Sequence, residues 1–399
     1  MAMRGWQMSN RKLASVQAIE ALDPIPGADK IEVATILGWK CVVAKADGFK
    51  VGDKVVYIEV DSVLPVAQWS AFMAPRHYRV KTIKLRGQVS QGLVFPLSIL
   101  FDYVTADTMV KARAGDDLTA VLGVTKHDPE AERERAEVFQ KRRSGTLRWL
   151  LRFRWIRALA GVQRARRGAW PEWIEKTDEV RLQSNPRLFD RLACAPPPAD
   201  AREYPDMGRG VYATEKLDGQ SATYFMRRRC RRFFADRFEF GVCSRNLCRP
   251  HRDGSTYWRM EERYAVEKVM RLYMDKHSLT TLVLQGEIVG PGVQGNRYKL
   301  PALDLYLFNA VLNGRKLNPS ETLLVANDCH MKSVPCWALL YVCQGDTDRP
   351  IDRMVEYAIG SSLITPSVSR EGIVVRDRRM TVSFKVLNPE YLLKYGEGE

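Results

Sequence analysis

Residues Thr214 to Gly219 read TEKLDG and run directly into an alternating stretch, Ser221 to Phe225, which reads SATYF. A lysine that precedes Asp-Gly at a junction between two strands can be held rigidly, with its amine directed into a cleft. A lysine amine is a nucleophile only in its neutral form, so such a residue needs burial or a nearby cation. Alone, K-x-D-G also fits a surface lysine beside a turn, because it arises by chance in roughly one chain in ten of this length.

Four further segments place one charged or aromatic residue each at the edge of a hydrophobic strand. They are Leu284–Gly290 (LQGEIVG), Tyr306–Asn309 (YLFN), Arg370–Arg376 (REGIVVR) and Ser383–Asn388 (SFKVLN). A lone carboxylate at the end of an apolar strand is costly without a partner, which marks Glu287 and Glu371 as candidate ligands. In isolation, Phe308 would more often be a core aromatic and Arg245 an exposed salt-bridge residue.

The order of these elements, with Cys243–Asn246 (CSRN) between the first two, resembles that of the covalent nucleotidyltransferases across roughly Pro171 to Glu399. These are DNA ligases, RNA ligases and mRNA capping enzymes. The finer resemblance is to the fifth RNA-ligase group, whose members carry an OB module ahead of the catalytic domain. Gly290–Asn296 and Lys176–Gln183 both look like segments of that group. One departure is Ser383, where many related ligases have the first lysine of K-x-K.

The resemblance implies ATP-dependent sealing of RNA. Lys216 would take AMP from ATP and pass it to an RNA 5′-phosphate, which a 3′-hydroxyl then attacks. Lys385 would balance phosphoryl charge, while Glu287 and Glu371 would act in catalysis and hold Mg²⁺ or Mn²⁺ largely through water. The residues implied to bind the nucleotide are Glu215, Asp218, Gly219, Arg245, Glu287, Phe308 and Lys385. The expected partner is RNA with 3′-OH and 5′-phosphate ends, as in a nicked duplex, and the expected state is a monomer.

Ahead of this region, from Arg11 to about Val124, short strands alternate with turns. Lys30–Ile36, Trp39–Ala44 and Lys54–Val60 are rich in β-branched residues and are separated by turn residues. This spacing predicts a small barrel or sandwich, and Gly52–Ile58 and Lys84–Leu93 resemble the OB module. We expect a polynucleotide-binding face there, formed by Lys81, Lys84 and Arg86, with Arg76 and Arg79 nearby and Tyr78 or Trp69 available for stacking.

The predicted fold is therefore α+β. Within its C-terminal region, the apolar period of Met260 to Lys276 predicts one helix. An OB-type β-barrel would occupy residues 1–125, a basic and possibly helical connector 126–170, and a ligase-type nucleotidyltransferase domain with antiparallel sheets 171–399. Of the net charge of +15, residues 131–170 carry +9, from twelve Lys or Arg against three Glu. So concentrated a charge favours a polyanion as partner, although the interleaved Leu, Phe and Trp also fit a basic amphipathic helix on an anionic membrane or packed on the protein.

The remaining features of composition narrow the class of protein. The eight cysteines form no CxxC pair, and Cys243, Cys248 and His251 lack a second ligand pair, so free thiols are expected rather than zinc. No apolar run approaches the ~20 residues that span a membrane, and Met1–Arg11 lacks a signal-peptide pattern. We expect a soluble intracellular protein of cytoplasm or nucleus.

Two alternatives stay open at this point. DNA ligases and capping enzymes typically place an OB domain after the last motif, whereas here the OB-like region comes first. A non-catalytic RNA-binding protein derived from a ligase is the other alternative. Ser383 keeps it open, although the intact Lys216, Glu287, Glu371 and Lys385 argue against it.

Overall fold

A computed structural model describes residues 11–127, 170–193, 211–231, 234–249, 252–339, 350–377 and 379–396. Most of the basic segment, residues 131–169, lies outside these ranges, as does His251. Among the described helices, none is long and apolar enough to cross a membrane.

The N-terminal region is built almost entirely from short strands. In chain order they are β1 (Ala14–Ala18), β2 (Ala21–Pro24), β3 (Ile31–Ile36), β4 (Trp39–Ala44), β5 (Lys54–Ile58), β6 (Ser62–Val63), β7 (Ile83–Leu85), β8 (Gln88–Ser90), β9 (Leu93–Pro96) and β10 (Thr125–Lys126). They pair as β1-β5-β9, β2-β3-β4, β7-β8 and β6-β10, each antiparallel. A short helix, α1 (Ala106–Val110), and the 3₁₀ turns Lys45–Asp47, Gln68–Arg76 and Leu97–Leu100 complete the region.

Strand β5 is central to this region because both of its faces are buried. Val56 and Ile58 belong to one apolar cluster, whereas Val55 and Tyr57 belong to another on the opposite side. Successive side chains of a strand point to opposite faces, so a continuous run of apolar residues serves both clusters. The strands predicted around residues 30–36, 39–44 and 54–60 are all present.

The C-terminal region mixes helices with longer strands. In chain order its elements are α2 (Arg187–Ala193), β11 (Val211–Lys216), β12 (Gln220–Arg231), β13 (Phe234–Cys243), α3 (Thr256–Tyr264), α4 (Val266–Lys276), β14 (Thr281–Val289), β15 (Asp304–Leu312), β16 (Arg315–Lys316), α5 (Pro319–Asp328), β17 (Lys332–Ser333), β18 (Cys336–Leu339), α6 (Pro350–Ala358), β19 (Gly372–Asp377), β20 (Ser383–Leu387) and α7 (Pro389–Tyr395).

These strands form two sheets. The larger has the order β13-β12-β14-β15-β16, with β17 added parallel to β15, and the smaller has the order β18-β11-β19-β20. Helices α3, α4 and α5 cover one face of the larger sheet, while α2 and α6 pack on the smaller. Residues 217–219 join β11 to β12 and so cross from one sheet to the other, which places the predicted nucleophile between the two sheets.

The sequence predicts one helix from Met260 to Lys276, but the structure has two. Helix α3 ends where Ala265 adopts a left-handed conformation with φ 47°, and α4 begins at the next residue. The break lets Trp258 of α3 and Met270 of α4 reach the same core. The apolar period continues through the break, and alanine carries no signal for a left-handed backbone, so the prediction was wrong at this residue.

Candidate active site

Lys216 lies at the end of β11 and faces a buried carboxylate. Its Nζ is 2.6 Å from both Oε1 and Oε2 of Glu371, the residue that precedes β19. Strands β11 and β19 are antiparallel neighbours, with Lys216 opposite Gly372, and this pairing sets the contact. The Lys216 side chain is 25% exposed and that of Glu371 is 10% exposed, so the amine is partly open to solvent while the carboxylate is largely buried. We call the surroundings of this pair, between the two sheets, the cleft.

Asp218 is held by three partners at the start of the crossing between the sheets. Its carboxylate accepts hydrogen bonds from Arg297 and, at 2.7 Å, from the Tyr391 hydroxyl, while its backbone N–H donates to the Tyr298 hydroxyl at 2.8 Å. The Asp218 and Arg297 side chains are both less than a tenth exposed. This buried ion pair fixes the backbone that follows Lys216.

Gly219 is required by the close approach of β14. A Cβ added at this position would lie 2.3 Å from the Ile288 carbonyl oxygen and 2.9 Å from the Glu287 side chain. No side chain fits there without movement of a strand backbone. The glycine of K-x-D-G therefore lets the crossing lie against the strand that carries Glu287.

Glu215 is almost fully buried behind the lysine. Its Oε2 accepts a hydrogen bond from the Leu363 backbone N–H at 2.8 Å, and its Oε1 has no hydrogen-bond partner among the described residues. Burial raises the pKa of Glu215, with Ser362 and Leu363 acting against the shift. A buried carboxyl oxygen without a partner suits a ligand that donates a hydrogen bond.

Glu287, on β14, completes a group of carboxylates around Tyr298. Burial raises the pKa of Tyr298, and the charges of Glu371, Glu215 and Glu287 raise it further. Carboxylate oxygens suit Mg²⁺ or Mn²⁺. Among the described residues, however, no three acidic, His or Cys side chains come together to hold an ion. A divalent ion here would be bound by one or two carboxylates and otherwise by water; that Glu287 and Glu371 are its ligands stays a prediction.

Lys385, on β20, lies beside a second cation. Burial, together with the charges of Arg181 and Lys216, lowers the pKa of Lys385 well below its ordinary value, and Asp178 acts in the opposite direction. The backbone of residues 180–182 pairs with Lys385, whose N–H donates to the Val180 oxygen at 2.8 Å. We call residues 176–184 the linking segment. Its backbone hydrogen-bonds to β20 on one side and to Gly38 of the N-terminal region on the other.

Arg245 also contacts the linking segment. Its guanidinium donates to Asp178 at 2.5 Å. Burial raises the pKa of Asp178, but Arg245 and Lys385 lower it by more, so the carboxylate is held charged between them. Ser383 lies against Glu179, which pairs with Arg376 at 3.1 Å, so the departure from K-x-K falls beside an existing ion pair.

Phe308 is half-buried on one wall of the cleft. It packs against the apolar cluster that includes Leu217, Val289 and Tyr298. Leu217 lies between Lys216 and Asp218 in sequence, so this aromatic ring borders the candidate site. The position allows a flat apolar ligand to pack beside the lysine.

The predicted N-terminal binding residues lie on and beside one hairpin. Lys84 and Arg86 are exposed on the β7-β8 hairpin, and Lys81 is exposed just before it. Of the two proposed stacking aromatics, Trp69 packs edge-on against Phe95 and donates to the Tyr103 hydroxyl at 3.0 Å. Tyr78 packs, partly buried, on the core. Both rings are thus engaged in packing within the region.

The structure adds residues that the sequence analysis did not select. Arg297, Tyr298 and Tyr391 hold Asp218, and Asp178 and Arg181 border Lys385. In the sequence, Lys176–Gln183 is marked only by its resemblance to a segment of the fifth RNA-ligase group. Arg297 follows Gly290–Asn296, whose family likeness was the one available signal for it.

Comparisons with known proteins give one family match for each of the two regions. A family model described as an OB-fold domain matches residues 13–97, and one described as RNA ligase matches residues 209–395. A solved variant of the Naegleria gruberi RNA ligase in the apo form is 26% identical, with a TM-score of 0.70, covering 96% of this chain and 98% of that one.

Two further solved variants of the same Naegleria gruberi enzyme match over 97% of this chain and 100% of theirs. One, with ATP and Mn, is 26% identical with a TM-score of 0.70. The other, with AMP and Mn, is 27% identical with a TM-score of 0.70. No curated protein sequence matches the chain at a significant level.

Proposed function

We propose that Lys216 carries AMP from ATP to the 5′ end of an RNA strand; the premise is that residues 209–395 match the RNA ligase family and that the chain is similar to the Naegleria gruberi RNA ligase. The observation that carries the assignment is the amine of Lys216, 2.6 Å from both oxygens of Glu371 and beside the aromatic wall of Phe308. A nucleophile, a proton acceptor and a surface for a base therefore lie together.

In the first step the Lys216 amine attacks the α-phosphorus of ATP. The Nζ–P bond forms, the bond between the α-phosphorus and the bridging oxygen breaks, and pyrophosphate leaves. One amine proton is released, with Glu371 as the nearest acceptor. Lys385 supplies positive charge to the transferring phosphoryl group. A bound Mg²⁺ or Mn²⁺, held by Glu287 and Glu371 through water, would add to that charge.

The second and third steps use RNA. An oxygen of the 5′-phosphate attacks the phosphorus of lysyl-AMP, the P–N bond breaks, and Lys216 regains its proton. A 3′-hydroxyl then attacks the activated 5′-phosphate, a phosphodiester forms, and AMP leaves with the bridging oxygen. The Arg245 guanidinium now donates to Asp178 of the linking segment. When substrate binds, it would give up this bond and contact a phosphate or a ribose instead.

The nucleotide pocket follows from the same contacts. Phe308 would stack on adenine, and the unpartnered Oε1 of Glu215 would accept a hydrogen bond from its exocyclic amine. Asp218 and Gly219 would shape the loop that presents Lys216. The Naegleria gruberi structures with ATP and Mn support the same nucleotide and ion for this chain.

For the RNA we propose a nicked duplex with 3′-OH and 5′-phosphate ends, bound by a monomer. Lys81, Lys84 and Arg86 would contact its phosphates from the N-terminal module, through exposed side chains around the β7-β8 hairpin. The domain limits 1–125, 126–170 and 171–399 belong to the same proposal. The basic connector, with its charge of +9 over residues 131–170, would add to the attraction for RNA.

The test is covalent labelling with α-³²P-ATP and Mn²⁺ or Mg²⁺, followed by denaturing electrophoresis. Wild type should retain the label and Lys216→Ala should lose it. Lys332→Ala is the matched control, because that lysine is also paired to a carboxylate at 2.6 Å, but the carboxylate is Asp304 and not Glu371. Labelling from GTP instead of ATP would favour a capping-type enzyme, and labelling of Lys216→Ala would reject Lys216 as the nucleophile.

A further inference from the structure

Two buried carboxylates of the N-terminal module face the linking segment. Asp61 accepts a hydrogen bond from the Arg181 guanidinium at 2.5 Å. Glu59 accepts from Ser184 and from Arg11, and its charge also acts on Arg181. Both carboxylates are less than a tenth exposed, so the bonds across this boundary are shielded from water.

Arg181 in turn adjoins Lys385. The two residues form a parallel bridge, with backbone hydrogen bonds of 2.8 and 3.0 Å on either side of it. The Arg181 guanidinium also lies over the Trp39 ring, 5.7 Å from its centroid, so the module holds it from two directions. Arg181 and Lys385 are both cations, and an uncompensated buried charge is strongly destabilising. The Asp61 carboxylate, bonded to Arg181, supplies compensating negative charge.

We propose that Asp61 is a positioning residue for nucleotidyl transfer, holding Arg181 so that Lys385 stays at the cleft. The inference rests on the proposed function and deepens it. On this account the N-terminal module is part of the machinery for the first chemical step, which involves no RNA. Asp61 itself touches neither Lys216 nor the reacting phosphate; it acts through Arg181.

The experiment compares Asp61→Asn with Glu59→Gln in the full chain. Asp61 has a φ of 66°, and asparagine tolerates this left-handed region, so the substitution changes charge and leaves the backbone in place. Glu59→Gln is matched because it neutralises a carboxylate of the same cluster whose hydrogen bonds come from Arg11 and Ser184, whereas the Arg181 guanidinium donates to Asp61. Both variants should lose thermal stability to a similar extent.

The rate of lysyl-AMP formation is measured as a function of ATP concentration. Asp61→Asn should raise the half-saturating ATP concentration at least about tenfold, and Glu59→Gln less than about twofold. Equal effects of the two variants, or a wild-type ATP dependence for Asp61→Asn, would overturn the proposal. Absence of label from wild type would instead reject the proposed function, so the two failures are distinct.

A second observation concerns Cys243 and Cys248, which face each other across the loop that carries Arg245. Ser244 N–H donates to the Leu247 oxygen at 2.9 Å and Arg249 N–H to the Val242 oxygen at 2.8 Å. The cysteines between these bonds are thus a non-hydrogen-bonded antiparallel pair. In such pairs the Cα atoms are about 4.5 Å apart, within the range of about 4.4–6.8 Å found in disulfides.

The two thiols differ in exposure and acidity. Cys243 is fully buried, whereas Cys248 is half-buried. The hydrogen bond between them lowers the pKa of Cys248, and together with burial it raises the pKa of Cys243. Cys248 is therefore the thiol that an oxidant meets first, and Cys243 lies within reach to resolve the product.

We infer that Cys243 and Cys248 are an oxidation site that closes to a disulfide across the Arg245 loop when a peroxide is the oxidant. The Cys248 thiolate attacks the peroxide, the O–O bond breaks, and a sulfenic acid forms with loss of hydroxide. The Cys243 sulfur then attacks the Cys248 sulfur, and the sulfenic oxygen leaves as water with the Cys243 proton. The sum is two thiols and one hydrogen peroxide giving one disulfide and two waters.

The test is peptide mass mapping of the full chain after brief treatment with hydrogen peroxide. The peptide that holds both cysteines should lose two hydrogens and regain them on reduction, and Cys243→Ser should stop at a sulfenic acid that dimedone traps. Cys336 is the control: it is half-buried and forms no disulfide among the described residues, and burial raises its pKa to about 11, so it should react more slowly. Oxidation of Cys248 without the cross-link, or faster reaction of Cys336, would overturn the inference.

Discussion

Replacing Asp218 with asparagine tests the buried ion pair behind the nucleophile. The carboxylate and the Arg297 guanidinium are 8% and 9% exposed, so solvent screens their attraction little. Removing one partner of such a pair typically costs about 3–5 kcal/mol, because the other charge is left buried. The Tyr391 hydroxyl donates to Asp218 at 2.7 Å, and asparagine keeps an oxygen that can accept this bond. We therefore expect the free energy of unfolding to fall by the lower end of that range, about 3 kcal/mol.

The cost should come chiefly from the stranded arginine. Arg297 also lies over the Tyr395 ring, 4.9 Å from its centroid, and an apolar side chain can keep that packing. In the Asp218→Asn background, Arg297→Met should therefore restore most of the loss, giving a coupling energy of about 2–3 kcal/mol. Lysyl-AMP formation should stay low in Asp218→Asn and in the double variant, since Asp218 fixes the backbone next to Lys216.

The assay is denaturant-induced unfolding of wild type, both single variants and the double variant. Glu239→Gln is the control, because Glu239 also pairs with an arginine, Arg229, at 2.7 Å, but both side chains are about half exposed. Such exposed pairs contribute at most about 1 kcal/mol. A loss below about 1 kcal/mol for Asp218→Asn, or costs that simply add in the double variant, would refute the reasoning.

Three further predictions follow from other contacts. Gly219→Ala would place a Cβ 2.3 Å from the Ile288 oxygen, so labelling by ATP should be lost while circular dichroism still shows a folded chain. Charge reversal at Lys84 and Arg86 should reduce the salt dependence of nicked-RNA binding by about two units of slope; an unchanged slope would exclude the hairpin. Burial raises the pKa of Asp61, but two arginines lower it by more. Its stabilising contribution is thus present above about pH 4 and lost below it, and Asp61→Asn should flatten acid unfolding in that range.

The family and the fold class were predictable from sequence, and both predictions are confirmed by the OB-fold and RNA ligase matches and by the Naegleria gruberi structures. The reason is physical. Each motif is a short contiguous string that lies in or beside a strand, so it can be recognised in the sequence without knowledge of the fold. The roles given to individual residues remain proposals that labelling experiments will decide.

The contacts that hold the site were not predictable in the same way. Asp218 binds partners 79 and 173 residues away, and Asp61 binds one 120 residues away. Many arginines and tyrosines in the sequence could satisfy these carboxylates, and only the folded arrangement of the two sheets selects among them. The helix break at Ala265 was missed because a left-handed alanine leaves no trace in composition or period.

The bond between Asp218 and Tyr391 has a consequence for how the protein is made. Tyr391 is added to the growing chain 173 residues after Asp218. At usual rates of about 5–20 residues per second, the ribosome needs roughly 10–35 s to cover that distance. During that interval the lysine already exists, but the loop beside it lacks one of its anchors. A nascent chain on the ribosome thus cannot complete the loop beside Lys216, or react with ATP there, until helix α7 has been synthesised.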